Sequence, residues 1–322
     1  MSLKLLTKYF PPPKFLCPPH IGVSFSDDSI KAIFFDKSVA HPELKYLVVP
    51  LEKGAIVGGR IIDVEEVAKK LSSLKEVFDI PYIFFTLPDE LAYIFQISIP
   101  FDKKSNIYES VAFTIEENVP LPLNDTTFDF IPLGTTWSDS DSSCSASLVV
   151  AACVKNDTEK FLETVRKSGF EPVGCVHESQ AIADAIVPKN SPEISCIVHA
   201  RKNRVGIYLV KQNVVHFSTL QTITDGDYEK QFMDEFEKFM EYSMRYNSNK
   251  GDSIQTIFIC GEFEFAKKSV ETILGSQNSA KDVKLANVWT NVMRIEKNLP
   301  KISFENSLNL AGPIGSVLAS II

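Results

Sequence analysis

The 322-residue chain is 44% hydrophobic and carries a formal net charge of −8. That much apolar material builds a sizeable core, and the length suggests two or three domains. The acidic balance excludes a broad nucleic-acid-binding surface. No stretch of about 18 apolar residues is present, so no helix is expected to span a membrane. Prolines 11 to 13 break the N-terminal region, which does not read as a signal peptide.

Six cysteines stand at 17, 144, 153, 175, 196 and 260, without a Cys-x-x-Cys pair. They read as reduced core residues of a cytoplasmic protein and not as a disulfide frame or zinc site. Histidines 20, 41, 177, 199 and 216 are equally dispersed and lack metal-ligand spacing. The first 26 residues hold Lys4, Lys8 and Lys14 but no acid, beside Leu3, Leu5, Leu6, Tyr9 and Phe10. Residues 1–20 therefore form a basic, apolar extension. It either touches a partner or an anionic membrane surface or packs on its own domain, and the second reading is the simpler one.

Strands are expected at 21–25, 30–36 and 44–50. The stretch DVEEVAKKLSSLKEVF then predicts a helix capped by Asp63, with Val64, Val67, Leu71 and Leu74 at helical spacing. PYIFFTLP is a buried strand. This alternation argues for a mixed α/β sheet. LAYIFQISIP reads as a strand, and SNIYESVAFTIEENVP as a helix with Ile107, Val111, Ile115 and Val119 on one face. TTFDFIPLG and SASLVVAACVK are strands joined by a polar loop, and Asn156 with Glu159 suggests a capping box for the next helix. After Gly169 come a strand (EPVGCV), a helix (ESQAIADAIV), three strands within residues 194–221 and a long helix with Phe232, Phe236, Phe239 and Met240 as a core face. A strand–turn–helix follows, and a short apolar helix ends the chain.

Two segments superpose without a gap, 175 residues apart: Ser24 falls on His199, Ser26 on Arg201, Ile30 on Val205. A hairpin thus opens each half of the protein. The stretch FTLPDELAYIFQISIPF, the exit Val119-Pro120-Leu121-Pro122-Leu123 and the strand Phe128-Asp129-Phe130-Ile131-Pro132-Leu133-Gly134 resemble the PilM family of type IV pilus assembly proteins. GFEPVGCVHESQAIADAI, Glu235, Glu241 and Tyr242 on the long helix, and GPIGSVLASI follow in that family's order. The resemblance covers about residues 20 to 322. It implies an α/β, actin-like fold of two RNase H-like halves facing a cleft, with an FtsA-like inserted subdomain. The expected division is 21–81 with 171–190 for the first half, 82–170 for the insertion and 191–322 for the second half.

By the same resemblance, the first hairpin should read aspartate-x-glycine and hold magnesium and phosphate. Here Ser24 replaces the aspartate and Ser26 the glycine, while Ser29 and Lys31 remain and Asp27 and Asp28 add negative charge. In the second hairpin the aspartate and glycine are His199 and Arg201. The third element keeps one glycine, Gly261, followed by Glu262, and Glu235 lies on the helix between. Glycine lets phosphate approach backbone N–H groups, and carboxylates order the metal that phosphoryl transfer needs. Their loss predicts a pseudo-ATPase with no metal and no cofactor, in which Arg201 pairs with Asp27 or Asp28. ATP remains the ligand the family implies, with phosphates met by Lys31, Arg201 and the serine hydroxyls.

The expected function is a PilM-like adaptor, not an enzyme, gripping the cytoplasmic tail of a PilN-like inner-membrane protein. The grip would lie between the first half and the insertion, with helix 105–119 a candidate wall. The resemblance further implies contact with the pilus motor ATPase, a homo-oligomeric ring and a cytoplasmic position against the inner membrane. The alternatives are a nucleotide-gated ATPase and an FtsA-like filament former; against the second, the C-terminal stretch shows no long linker with an amphipathic helix.

Overall fold

A computed structural model describes residues 18–36, 43–101, 106–137, 144–224, 227–247, 253–276, 282–293 and 300–319. The basic arm up to Lys14, Cys17 and His41 lie outside them.

The expected repeat is a structural one. Strands β1 (Ile21–Phe25), β2 (Ser29–Phe34) and β3 (Lys45–Pro50) form an antiparallel meander, which β6 (Tyr82–Leu87) and β10 (Glu171–His177) continue in parallel. The sheet order is β10-β6-β1-β2-β3. The second half repeats it with β11 (Ser195–Arg201), β12 (Arg204–Lys211), β13 (Val214–Thr222), β14 (Thr256–Gly261) and β15 (Asp282–Leu285), ordered β13-β12-β11-β14-β15. Even the registers correspond. Ser24 faces Lys31 and Phe25 faces Ile30 in one hairpin; His199 faces Gly206 and Ala200 faces Val205 in the other. The hairpin β4 (Ile56–Val57) and β5 (Arg60–Ile61), and the short β15, carry too few residues for a periodic signal and were not expected.

Helix α1 (Val64–Ser72) begins as its sequence dictates: the Asp63 carboxylate accepts the Glu66 N–H. The inserted sheet has the order β7-β9-β8, from β7 (Ala92–Phe101), β8 (Thr126–Trp137) and β9 (Cys144–Val154). Helix α2 (Ile107–Asn118) buries Val111 and Ile115 against one face of it, where Leu148, Val150 and Ala152 wait. Asn106, not foreseen as a cap, accepts the Tyr108 N–H at its start.

Three expectations need correction. The Asn156 capping box does not form, because β9 runs straight into α3 (Lys155–Lys167), whose first turn offers Asp157 to Arg60 instead. The insertion is tighter than 82–170: β6 belongs to the first sheet, and Phe161 and Val165 of α3 enter the first half's core. Finally, the chain from 191 does not stay in the second half. Its last helix, α7 (Ala311–Leu318), returns to pack on β1 and on α4 (Glu178–Ile186).

That return knits the halves together. One apolar cluster joins Ile33 of β2, Ile182 and Ile186 of α4, Ile197 and Tyr208 of the second sheet, Trp289, and Ile314 and Val317 of α7. A second cluster fills the far side of the second sheet, where Phe232, Phe236 and Phe239 of α5 (Tyr228–Asn247) cover Val198 and Ile207. Each fully buried side chain of this size contributes about 1.5–3 kcal/mol.

Close helix approach makes α7 dependent on glycine. A Cβ on Gly315 would stand 1.6 Å from the Ala181 carbonyl oxygen, which is backbone and cannot yield. Gly315→Ala is therefore expected to lower unfolding free energy by about 2–3 kcal/mol in urea titrations. Gly275→Ala, at the end of α6 (Phe263–Gly275) with nothing within 4 Å, is the control and is expected to be neutral or slightly stabilising.

Candidate functional site

Side chains alternate across a strand, so His199 and Arg201 share the face of β11 that carries Ile197 into the interface between the halves. In β1 and β2 the paired residues Ser24 and Lys31 share the equivalent face, which also carries Gly22 against α7. These four predicted residues therefore meet at the floor of one cleft. Ser24 and Glu178 flank Gly312, where a Cβ would stand 3.5 Å from Ser24 Cβ and 3.3 Å from Glu178 Oε1.

Cations and carboxylates fill this cleft. Arg201 reaches Glu90 and Glu178, each at 3.8 Å. Arg204 pairs with Glu90, and with Asp27 at 3.4 Å. The expected pairing of Arg201 with Asp27 or Asp28 is thus corrected: Arg204 takes Asp27, whose carboxylate also accepts the N–H groups of Gly58 and Gly59 at 3.1 and 3.0 Å. Arg201 and Arg204 are paired across the turn of this hairpin, so both side chains enter the cleft from one face; Arg201 is taken up by Glu90 and Glu178, and Arg204 is left to Asp27. Tyr208 donates to Asp89 at 2.6 Å, and Asp89 accepts the Ser179 N–H at 2.8 Å. Tyr208 also stands 3.4 Å from His199 Nδ1.

Burial works against every charge here. It pushes the Glu178 carboxyl up from its ordinary range, although Arg201 and Lys31 pull the other way. It lowers Lys31, whose ammonium donates to Asn309 at 2.7 Å. His199 falls well below its usual value through burial and through the neighbouring Arg201 and Lys31, so its imidazole is neutral. For Arg201, burial is outweighed by Glu178 and its other partners, and the guanidinium is held charged.

The turn residues look inward. Ser26 donates to Asp28 at 2.7 Å and Ser29 donates to the same oxygen at 3.0 Å. Despite burial, these bonds and Lys31 hold the Asp28 carboxyl below its ordinary value. Gly261 has φ +107°, and a Cβ there would meet the Ala200 carbonyl oxygen at 2.1 Å; the Glu262 N–H donates to that same oxygen at 2.8 Å. Gly261 therefore serves the close approach of the paired strands β14 and β11. Glu262 stands within electrostatic reach of Lys31. Glu235 does not join the group: it accepts from Thr219 at 2.6 Å on the face of the second sheet that α5 covers, opposite His199 and Arg201.

Glu90, Glu178, Asp89 and Arg204 were missed. All three acids follow the C-terminal ends of parallel strands, where α/β folds gather their sites, and that position was the available signal.

Beside the cleft lies an apolar groove of about 310 Å³. Its walls are Leu87 and Cys175–His177 of the first half, Thr127–Ile131 and Val149 of the insertion, and Val214 and Val215 of the second half. The expected wall, helix 105–119, is on the other face of the inserted sheet: Val149 and Ala151 look into the groove while Leu148 and Val150 look at α2.

Known structures share this architecture. The chain is similar to one from a PilM–PilN type IV pilus biogenesis complex, with TM-score 0.74 and 15% identity over 94% of this chain and 98% of that one. It is also similar to the cytoplasmic domain of EpsL, an inner-membrane component of the type II secretion system of Vibrio cholerae (TM-score 0.53, 10% identity, 94% and 96% covered). A third is the ethanolamine utilization protein EutJ of Carboxydothermus hydrogenoformans (TM-score 0.51, 10% identity, 95% and 90% covered). The fold is thus the actin-like one, with two mixed five-stranded sheets. No protein-family profile and no curated protein sequence matches the chain. Among the described residues, no helix is long and apolar enough to cross a membrane.

Removing Arg201 leaves Glu178 buried without its nearest cation. Arg201→Met is expected to cost about 3 kcal/mol in urea titrations at about pH 7.5. The deficit should shrink near pH 5: a carboxyl whose folded value is raised destabilises only above its unfolded value, and acid restores its proton. A deficit that stays constant or grows on acidification contradicts this account.

Proposed function

We propose that this chain is a PilM-like assembly adaptor, a non-catalytic actin-like scaffold that grips the cytoplasmic tail of a PilN-like inner-membrane protein. Two similarities support the assignment to pilus or secretion machinery: the shared fold with a chain of a PilM–PilN complex, and with the cytoplasmic domain of an inner-membrane secretion component. In this reading the protein lies in the cytoplasm and meets the membrane through its partner.

The observation that carries the proposal is the contrast between a cleft filled by Arg201 and Arg204 and an open apolar groove one strand end away. Phosphoryl transfer is positioning and charge stabilisation around a metal. The family's two metal-ordering positions are Ser24 and His199, and the cleft's carboxylates are engaged by arginines. A triphosphate entering there would have to separate buried ion pairs and leave Glu178 facing phosphate charge, a cost of several kcal/mol. The groove asks nothing comparable. Its volume is at the lower end of the usual ligand-site range, and its lining suits apolar side chains of an extended tail.

Two measurements test this. Millimolar ATP, with or without magnesium, is expected to move the melting temperature by less than about 1 °C and to release no phosphate. A rise of several degrees with phosphate release overturns the scaffold reading. Separately, a synthetic peptide copying the cytoplasmic tail of a PilN-like inner-membrane protein from the same organism should bind, and Ala151→Arg should abolish binding while circular dichroism is unchanged. Cys175, whose thiol burial pushes up to about 11, lines the groove. Its slow maleimide labelling, mapped by mass spectrometry, should become slower with peptide present; unchanged labelling places the peptide elsewhere.

A further inference from the structure

The groove is bounded by two strand edges, and one of them is built to accept a strand. β8 ends the inserted sheet and β10 ends the first sheet; each has a paired neighbour on one side only. Both send consecutive residues into the groove, 127 to 131 from β8 and 175 to 177 from β10. Side chains alternate across a sheet, so an unbroken run of residues borders a groove only where the backbone edge itself faces it.

Two local features fix which backbone groups of β8 point outward. In an antiparallel ladder, alternate residues direct both N–H and C=O at the partner, and those between direct them away. The Phe130 N–H is given to the Asp129 carboxylate at 2.8 Å, so it is not the ladder's. Pro132, of the same parity and ahead of the register shift between Pro132 and Gly134, has no N–H for β9. Phe128 and Phe130 therefore turn their backbone polar groups toward the groove, while the Thr126 N–H is given to the Leu123 carbonyl. Phe130's donor is capped by Asp129 and Pro132 offers none, the two usual devices that blunt an edge. By this parity the N–H and C=O of Phe128 and the C=O of Phe130 have no ladder partner among the described residues and face an apolar pocket.

Resting on the reading above, we propose that the tail docks as a fourth strand on β8, exchanging backbone hydrogen bonds with Phe128 and donating a further N–H to the Phe130 carbonyl. Side chains of one parity then lie beside Val149 and Ala151 in the groove. Those of the other parity lie on the opposite face, where the Tyr108 ring stacks on Phe128 at 4.7 Å. The tail that fits has aliphatic residues at alternate positions and no proline among the paired residues. Asp129, the one carboxylate among the described lining residues, limits how far the added ladder can run.

The test uses the full chain and the same synthetic peptide, with single backbone N-methyl groups walked along it. In calorimetry, N-methylation at alternate positions of a short window should weaken binding about fivefold or more, since each removes one hydrogen bond and crowds the edge, while the positions between stay within about twofold. In residue-resolved hydrogen exchange, the Phe128 amide should slow about tenfold or more on peptide addition, with Thr127 and Asp129, already in the ladder, unmoved. Uniform tolerance of N-methyl groups, with an unchanged Phe128 amide, overturns strand addition but leaves tail binding standing. No binding of the unmodified peptide removes both.

Discussion

The architecture depends on a set of charges that cannot leave water singly. Arg201, Lys31 and Glu178 are all nearly inaccessible, and each would be intolerable alone in that position. Together with Arg204, Glu90, Asp89 and Asp27 they form one mixed cluster between the halves. Such a cluster adds little net stability, because desolvation offsets most of the attraction. What it adds is geometry. The apolar cluster behind it, from Ile33 through Tyr208 to Val317, supplies the stabilising burial but is indifferent to small slides. Pairing of specific carboxylates with specific arginines sets the angle at which the two sheets meet.

The duplication was legible because it lies in local pattern. A hairpin's strands are contiguous, its turn is short, and its side chains alternate, so the 175-residue offset between Ser24 and His199 could be read directly and the two registers agree. The insertion was legible for a similar reason, from the change in strand and helix rhythm after Leu87. The partners of Arg201 were not. Glu90 and Glu178 are 88 residues apart in the chain and meet only when β6 and β10 pair with each other. In sequence Glu178 simply opens a helix; in the fold that turn faces Arg201 of the second half. Likewise the two faces of the inserted sheet differ by one residue of phase. The sequence marks α2 as amphipathic without saying which side of β9 it covers, and the groove took the other side.

A different constraint fixes Gly261 at the end of β14. Gly261 is held by its close pairing with Ala200 of β11, a requirement of the sheet itself, whereas Ser26 and Arg201 stand where the fold has room for side chains and supplies them with partners.

Groove and cleft share a wall. β6 gives Leu87 to the groove and, directly after it, Asp89 and Glu90 to the cleft; β10 gives His177 to the groove and leads into Glu178. The third side of the groove is the start of β13, held to α4 by Gln180, which donates to the Asn213 carbonyl at 2.8 Å and accepts the Val215 N–H at 3.0 Å. A groove assembled from three separately packed units keeps its width only if those units are fixed relative to one another. Here the chain's own arginines close on the carboxylates at the strand ends, and the apolar slot beside them is shaped by the same contacts.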